Sequence, residues 1–203
     1  VSDKSNEIIN LLYDGEILVT PFIFSFSRFL NKLIISFDLS ETNFLEIKEK
    51  ILNIKLEDFQ KEETQDIKIP MCCDEEFILD INRLVSNLKI SEMEILKKFF
   101  EKEYFCYMTG FIAGMPFLGD INKEIRLKRL ETPRVKVPKG SVGITEKFCN
   151  IYTFQSPGGW NIIGNTPVKI FDKTKKENPA LIKPGDTINF FKISKKEYLN
   201  WND

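Results

Sequence analysis

Residues 110–160 read GFIAGMPFLGDINKEIRLKRLETPRVKVPKGSVGITEKFCNIYTFQSPGGW. Glycine or proline recurs there at Gly110, Gly114, Pro116, Gly119, Pro133, Pro138, Gly140, Gly143, Pro157, Gly158 and Gly159. Glycine reaches positive φ without steric cost, and proline presets φ while giving up a donor. Between these breaks lie short β-prone runs, such as residues 134–137 and 150–154. A flexible linker would lack such interleaved apolar residues. The stretch therefore predicts compact β structure with shaped loops.

Downstream the pattern continues. Lys183-Pro184-Gly185-Asp186 is a turn signal ahead of a strand at residues 187–193. Residues 172–178, with three lysines, read as a solvated loop. Beyond residue 104 almost only strands and turns are expected.

Upstream the grammar changes. Residues 67–72 suit a strand, after which Asp74 would cap a helix to about residue 87 with an apolar stripe of Phe77, Ile81, Leu84, Val85 and Leu88. Ser91-Glu92-Met93-Glu94 is a capping box opening a second helix to about residue 103. Earlier still, residues 4–12 read as a helix, residues 16–24 and 32–37 as strands paired across residues 25–31, and residues 42–52 as another helix. That α-β-β-α order is most of a ferredoxin-like unit without its first strand. Residues 55–68 are charge-rich and read as a solvated connector. The fold class is thus α+β and mainly β, with one domain over residues 1–66 and a second over residues 67–203.

The composition is that of a globular chain: 203 residues, 42% hydrophobic and 29% charged. A net charge of −1 gives no general attraction to nucleic acid or to an anionic membrane surface. No apolar run reaches membrane-spanning length. Cys72, Cys73, Cys106 and Cys149 lack any metal-binding spacing and read as reduced apolar groups, so a cytoplasmic location is the expectation and no metal site is assigned. The chain contains no histidine. Ser-His-Asp and Cys-His catalysis within this chain, and any histidine zinc site, are thereby excluded.

Arg134 and Lys136 stand two apart on an expected strand, so both side chains should project from one face. Two cations beside glycine-rich loops suit a carboxylate or a phosphate; the plain alternative is a solvated strand face. Gly158 and Gly159 would let the main chain approach a ligand, or simply make a tight turn. Glu76 and Asp80, four apart on the expected helix, would share a face and hold a cation or act as a base, or else favour the helix dipole. Ser141 has no evident activator and suits hydrogen bonding to a ligand or to its own loop. Tyr152 and Trp160 would wall a pocket or pack in a core.

Several of these segments carry a resemblance. GFIAGMPFLG at residues 110–119, Thr132-Pro133-Arg134, VPKGSVGI at residues 137–144, Ser156-Pro157-Gly158-Gly159-Trp160 and Ile163-Gly164-Asn165-Thr166-Pro167 together resemble the family of the B-type component of the ATP-dependent 5-oxoprolinase. That family is also described as allophanate hydrolase subunit 1 and as the sporulation-kinase-A inhibitor. The chain is similar, too, to one half of the carboxyltransferase region of urea carboxylase. The resemblance is closest from about residue 69 to residue 193. It implies a cyclophilin-like β-barrel for the second domain. It also implies a subunit inactive alone, working with A- and C-type partners to open 5-oxo-L-proline to L-glutamate with ATP, and with magnesium. A binding protein for a sensor histidine kinase, and a carboxyltransferase-type subunit, are the alternatives it offers. Arg134 matches an arginine of the family motif, and Glu76 and Asp80 match acidic positions of its glycine-glycine-glutamate segment. The chain departs from the pattern at several places. Phe99 stands for a histidine, Ala113 for a proline, Met115 for a phenylalanine, Phe148 for a glutamine, Asn165 for an arginine, and Asp74 and Glu75 for paired glycines. No P-loop signature is present, so ATP would be handled by the assembly.

Overall fold

A computed structural model of the chain describes residues 23–29, 32–37, 43–53 and 64–202. The chain divides into two compact units, one ending at Glu63 and the other starting at Thr64.

In the first unit, β1 (Ile23–Phe29) pairs antiparallel with β2 (Lys32–Phe37), and α1 (Phe44–Leu52) follows. The hairpin differs from expectation in its turn. Phe29 faces Lys32, so β1 runs through most of the segment expected to connect the strands. Alternation of phenylalanine and serine over residues 24–27 is the period-two signal that carries the strand onward. Asn43 opens α1, its Oδ1 accepting from the Leu45 and Glu46 amides at 3.0 and 3.1 Å. The helix expected at residues 4–12, the first part of the strand expected at residues 16–24, and most of the connector at residues 55–68 lie outside the described residues. A ferredoxin-like unit is accordingly not defined by what is described.

The second unit contains β3 (Asp66–Cys72), β4 (Glu103–Thr109), β5 (Pro116–Gly119), β6 (Arg134–Val137), β7 (Ser141–Thr145), β8 (Phe148–Ile151), β9 (Ser156–Gly158), β10 (Asn161–Asn165) and β11 (Thr187–Ile193). Seven of these strands close into a barrel in the order β10-β3-β11-β4-β5-β8-β7. β3 and β11 run parallel in unbroken register from Asp66 opposite Thr187 to Cys72 opposite Ile193. β6 and β9 form a separate two-stranded sheet.

Two helices join the main core, α2 (Ile81–Leu88) and α3 (Glu92–Phe100), through Ile81, Leu84, Ile95, Leu96 and Phe99. Ser91 caps α3, its Oγ accepting from the Glu94 amide at 3.2 Å; this is the serine half of the expected capping box, and the Glu94 carboxylate pairs with Lys98. The start of α2 is a correction. The chain turns at Asp74, where the Phe77 amide donates to the Asp74 carbonyl, and helix begins only at Ile81. A second correction lies at the other end: Ser194 and Glu197 form a capping box that opens a short helix, α4 (Lys195–Leu199), where only strand and turn were expected. Among the described residues no helix is long and apolar enough to cross a membrane.

β7 and β10 are buried along their whole length. Strands that alternate faces do this only when both faces are covered. Val142, Ile144 and Ile163 point into the main core, while a second cluster of Met115, Val137, Tyr152 and Ile162 packs the β6–β9 sheet onto the other side. The seam beneath that sheet holds the candidate site.

Candidate functional site

The seam can be built strand by strand. On β8, Cys149 and Ile151 belong to the main core, so alternation turns Asn150 to the opposite face, towards the β6–β9 sheet. Tyr152 follows on that face and joins the second cluster. Asn150 pairs with Gly143 and with Phe117 on the two strands that flank β8. A side chain at Gly143 would meet Asn150 Oδ1 at 2.9 Å and Trp160 Cβ at 3.0 Å, so glycine is what leaves Asn150 its place. Trp160 sets its ring edge-on to Phe117, with centroids 5.6 Å apart.

From the sheet side, Arg134 pairs with Gly158 and Val137 with Ser156. A Cβ on Gly158 would collide with the Tyr152 hydroxyl and ring, so this glycine is fixed by the tyrosine beneath it. Gly159 accepts the Leu130 amide at 2.6 Å through its carbonyl.

Arg134 and Asp80 form the charged edge of the seam. Arg134 Nη2 meets Asp80 Oδ1 at 2.6 Å, with side-chain exposures of 28% and 4%. Asp80 Oδ2 accepts the Ile162 amide at 2.7 Å, and the Asp80 amide donates to the Ile162 carbonyl at 3.0 Å. The carboxylate thus ties Arg134 to β10. Nearby, Arg83 Nη1 donates to the side chain of Asn161 and to the Lys128 carbonyl, and Asn161 Nδ2 donates to the Ile144 carbonyl at 3.0 Å.

Tyr152 is held above the usual tyrosine pKa. Burial raises it, against the lowering influence of the Asn150 side chain, the Trp160 backbone and Arg134. Although the Asn150 amide lies beside the phenol, neither Oδ1 nor Nδ2 makes a hydrogen bond of good geometry among the described residues. The same holds for Arg134 Nη1 and Ser156 Oγ.

The structure divides the expected site residues into two groups. Arg134, Gly158, Tyr152 and Trp160 come together at the seam, and Asp80 joins them. Arg134 and Lys136 do not form a same-face pair: between Arg134 and Val137 the register with β9 shifts, so simple alternation fails across β6. Arg134 turns to Asp80 while Lys136 is exposed. Glu76 and Asp80 share no helical face, because α2 starts after both; Glu76 instead meets Lys195 Nζ at 2.5 Å on the surface.

Ser141 is linked through Asn165 to α4. Asn165 Nδ2 donates to the Lys139 carbonyl at 3.0 Å and weakly to Ser141 Oγ at 3.5 Å, and Tyr198 on α4 donates to Asn165 Oδ1 at 2.9 Å. Tyr198 also packs against Phe77, ring centroids 4.5 Å apart and planes tilted by 42°. Ser141 is buried in strand pairing rather than presented to a base.

Departures from the family pattern have local structural answers. Phe99 is fully buried among Phe100, Tyr104 and Phe190. Met115 is part of the second cluster, and the Ala113 carbonyl accepts from Thr153 Oγ1 at 2.7 Å. Phe148 lies against Gly119 and meets Tyr107 edge-on at 6.2 Å. Sequence reasoning missed Asn150 and Ser156. The signal for Asn150 was present as one amide in the otherwise apolar Phe148–Ile151 run.

Comparison with known proteins gives a consistent picture. Residues 20–182 match the family described as carboxyltransferase domain, subdomain C and D. The chain is 37% identical over 132 residues to the B-type component of 5-oxoprolinase from Bacillus subtilis, covering 65% of this chain and 55% of that protein. It is 34% identical over 129 residues to the urea amidolyase of Saccharomyces cerevisiae, covering 60% of this chain and 7% of that protein. Among solved structures, TTHA0988 superposes with a TM-score of 0.78 at 25% identity, covering 95% of this chain and 38% of that one. The chain spans only 50–62% of the length of the B-type 5-oxoprolinase components it matches.

Proposed function

The chain belongs to the carboxyltransferase-domain family, subdomains C and D, and from that premise we propose that it serves as the B-type component of an ATP-dependent 5-oxoprolinase. The observation that carries the proposal is the similarity to the B-type component of the Bacillus subtilis 5-oxoprolinase, 37% identical over 132 residues. The reaction opens the lactam of 5-oxo-L-proline to L-glutamate. A lactam carbonyl is a poor electrophile because nitrogen donates into it. Phosphoryl transfer from ATP to the lactam oxygen creates a leaving group and exposes the carbon to water, and glutamate, ADP and phosphate result.

This chain's part is binding and orientation. It has no histidine to serve as base and no phosphate loop, so A- and C-type partners complete the site. Arg134, anchored by Asp80, is the group suited to an anion, with Lys136 adding charge from the exposed side of β6 and the Gly158-Gly159 main chain close by. Ser141 and Glu76 fall outside this role, being engaged with Asn165 and Lys195. The cyclophilin-like description of the barrel and a ferredoxin-like first domain belong to the same proposal.

A tagged full chain used as bait tests the assignment. It is expected to retain the A- and C-type components together. Retention of a histidine kinase dimerisation domain in their place would support the inhibitor role and overturn the 5-oxoprolinase assignment. A requirement for biotin would support carboxyl transfer, the reading favoured by the similarity to urea amidolyase.

A further inference from the structure

Under the β6–β9 sheet, polar side chains are buried without partners, which is costly unless something completes them. Asn150 is fully buried, and apart from the Tyr152 phenol beside it neither its Oδ1 nor its Nδ2 has a hydrogen bond of good geometry among the described residues; Ser156 Oγ and Arg134 Nη1 likewise have none. Strand pairing and side-chain contacts link the residues that carry these atoms. Ser156 and Gly158 occupy the same face of β9, Gly158 lies on the Tyr152 phenol, and that phenol lies beside Asn150. Arg134, opposite Gly158 and 28% exposed, is where the seam reaches solvent.

The chemistry of these atoms specifies a ligand. A primary amide presents an acceptor and a donor side by side on one edge. Its complement is a cis amide, which offers N–H and C=O on a single edge and is the form a small lactam ring enforces. The free Nη1 of a guanidinium already neutralised through Nη2 complements a carboxylate. Ser156 Oγ supplies a further donor or acceptor, and Tyr152 and Trp160 give apolar walls to a flat ring.

We infer that this seam binds a small cyclic amide bearing a carboxylate, with Asn150 reading the lactam edge and Arg134 Nη1 the carboxylate. The ligand's identity as 5-oxo-L-proline rests on the 5-oxoprolinase assignment above. The placement of its recognition on this chain, and on Asn150, is the new element.

Calorimetric titration of the full chain with 5-oxo-L-proline, L-proline and 2-pyrrolidinone provides the direct test. L-proline lacks the lactam carbonyl and 2-pyrrolidinone lacks the carboxylate. Each is expected to bind at least roughly tenfold more weakly than 5-oxo-L-proline, because each leaves a buried partner unpaired. Asn150→Val is expected to weaken 5-oxo-L-proline by roughly ten- to a hundredfold with little change in the melting temperature of the unliganded chain, since Asn150 has no hydrogen bond of good geometry there to lose. Equal binding of all three probes, or no effect of the substitution, overturns the inference. So does a crystal structure grown with 5-oxo-L-proline that holds only ordered water at Asn150.

If Asn150→Val folds poorly, Asn150→Ser replaces it with the same expectation for affinity. Kinetics of the reconstituted assembly separate this inference from the 5-oxoprolinase assignment. An active assembly whose KM is unmoved by Asn150→Val overturns the inference and leaves the assignment standing. An inactive wild-type assembly removes the assignment, and direct binding to this chain then decides the inference alone.

Discussion

Asp80 holds two structures together: Arg134 through Oδ1 at 2.6 Å and the β10 backbone through Oδ2 at 2.7 Å. Removing a partner from a buried charge pair costs about 3–5 kcal/mol, because the remaining charge is stranded. Arg134 retains some access to water, so Asp80→Ala should cost about 3 kcal/mol, and Asp80→Asn less. Urea unfolding measures this, and a loss below about 1 kcal/mol would mean that solvent already carries Arg134. Gly158→Ala places a methyl on the Tyr152 hydroxyl and should destabilise by about 1–3 kcal/mol through overpacking, read in the same experiment. Arg134, Asp80 and Gly158 were all conspicuous in the sequence as isolated residues. Their meeting was not, because an ion pair spanning 54 positions leaves no local periodicity. Asn150 was harder still: its significance lies in what fails to contact it, which only packing reveals.

Among the elements, β6 shows where strand logic ends. The i, i+2 rule predicted two cations on one face, and a register shift against β9 removes that relation. Helix α2 illustrates a different limit. Its stripe of Ile81, Leu84, Val85 and Leu88 was legible, but its first turn was not. Asp80 stands at the N-cap position yet makes no capping bond, because its oxygens serve Arg134 and Ile162. The segment at residues 172–178, read as a plain solvated loop, is organised by Asp172. Its carboxylate accepts from the Thr174 hydroxyl and amide, with Lys169 nearby, and its pKa falls from an ordinary 3.8 to about 2. A depressed carboxylate stabilises the folded loop above its unfolded value and loses that contribution as pH falls towards 2. Thr174→Val should therefore raise the Asp172 pKa towards its ordinary value. A carbon-detected NMR titration reads this, and an unmoved pKa would show that the residue-174 amide and Lys169 set it without the hydroxyl.

At the scale of the molecule, the barrel was legible as a succession of turns and short strands, and its order was not. β3 lies between β10 and β11, pairing with segments separated from it by about ninety or more residues along the chain. No sequence window contains both partners of such a pairing. All four cysteines are free and buried in this unit; burial pushes the Cys73 thiol up to about 12 and also raises Cys149 well above its ordinary value. An aromatic disulfide reagent should accordingly leave the native chain unlabelled at neutral pH and modify all four thiols after unfolding; rapid labelling of the folded chain would contradict the closed barrel. The central claim is that this chain contributes recognition to a site that others complete. Glutamate release from 5-oxo-L-proline, followed with and without ATP, tests it most directly. The account predicts no release from the purified chain alone and ATP-dependent release once both A- and C-type components are added. Turnover by the chain alone, or an A- and C-type pair equally active without it, would contradict the account.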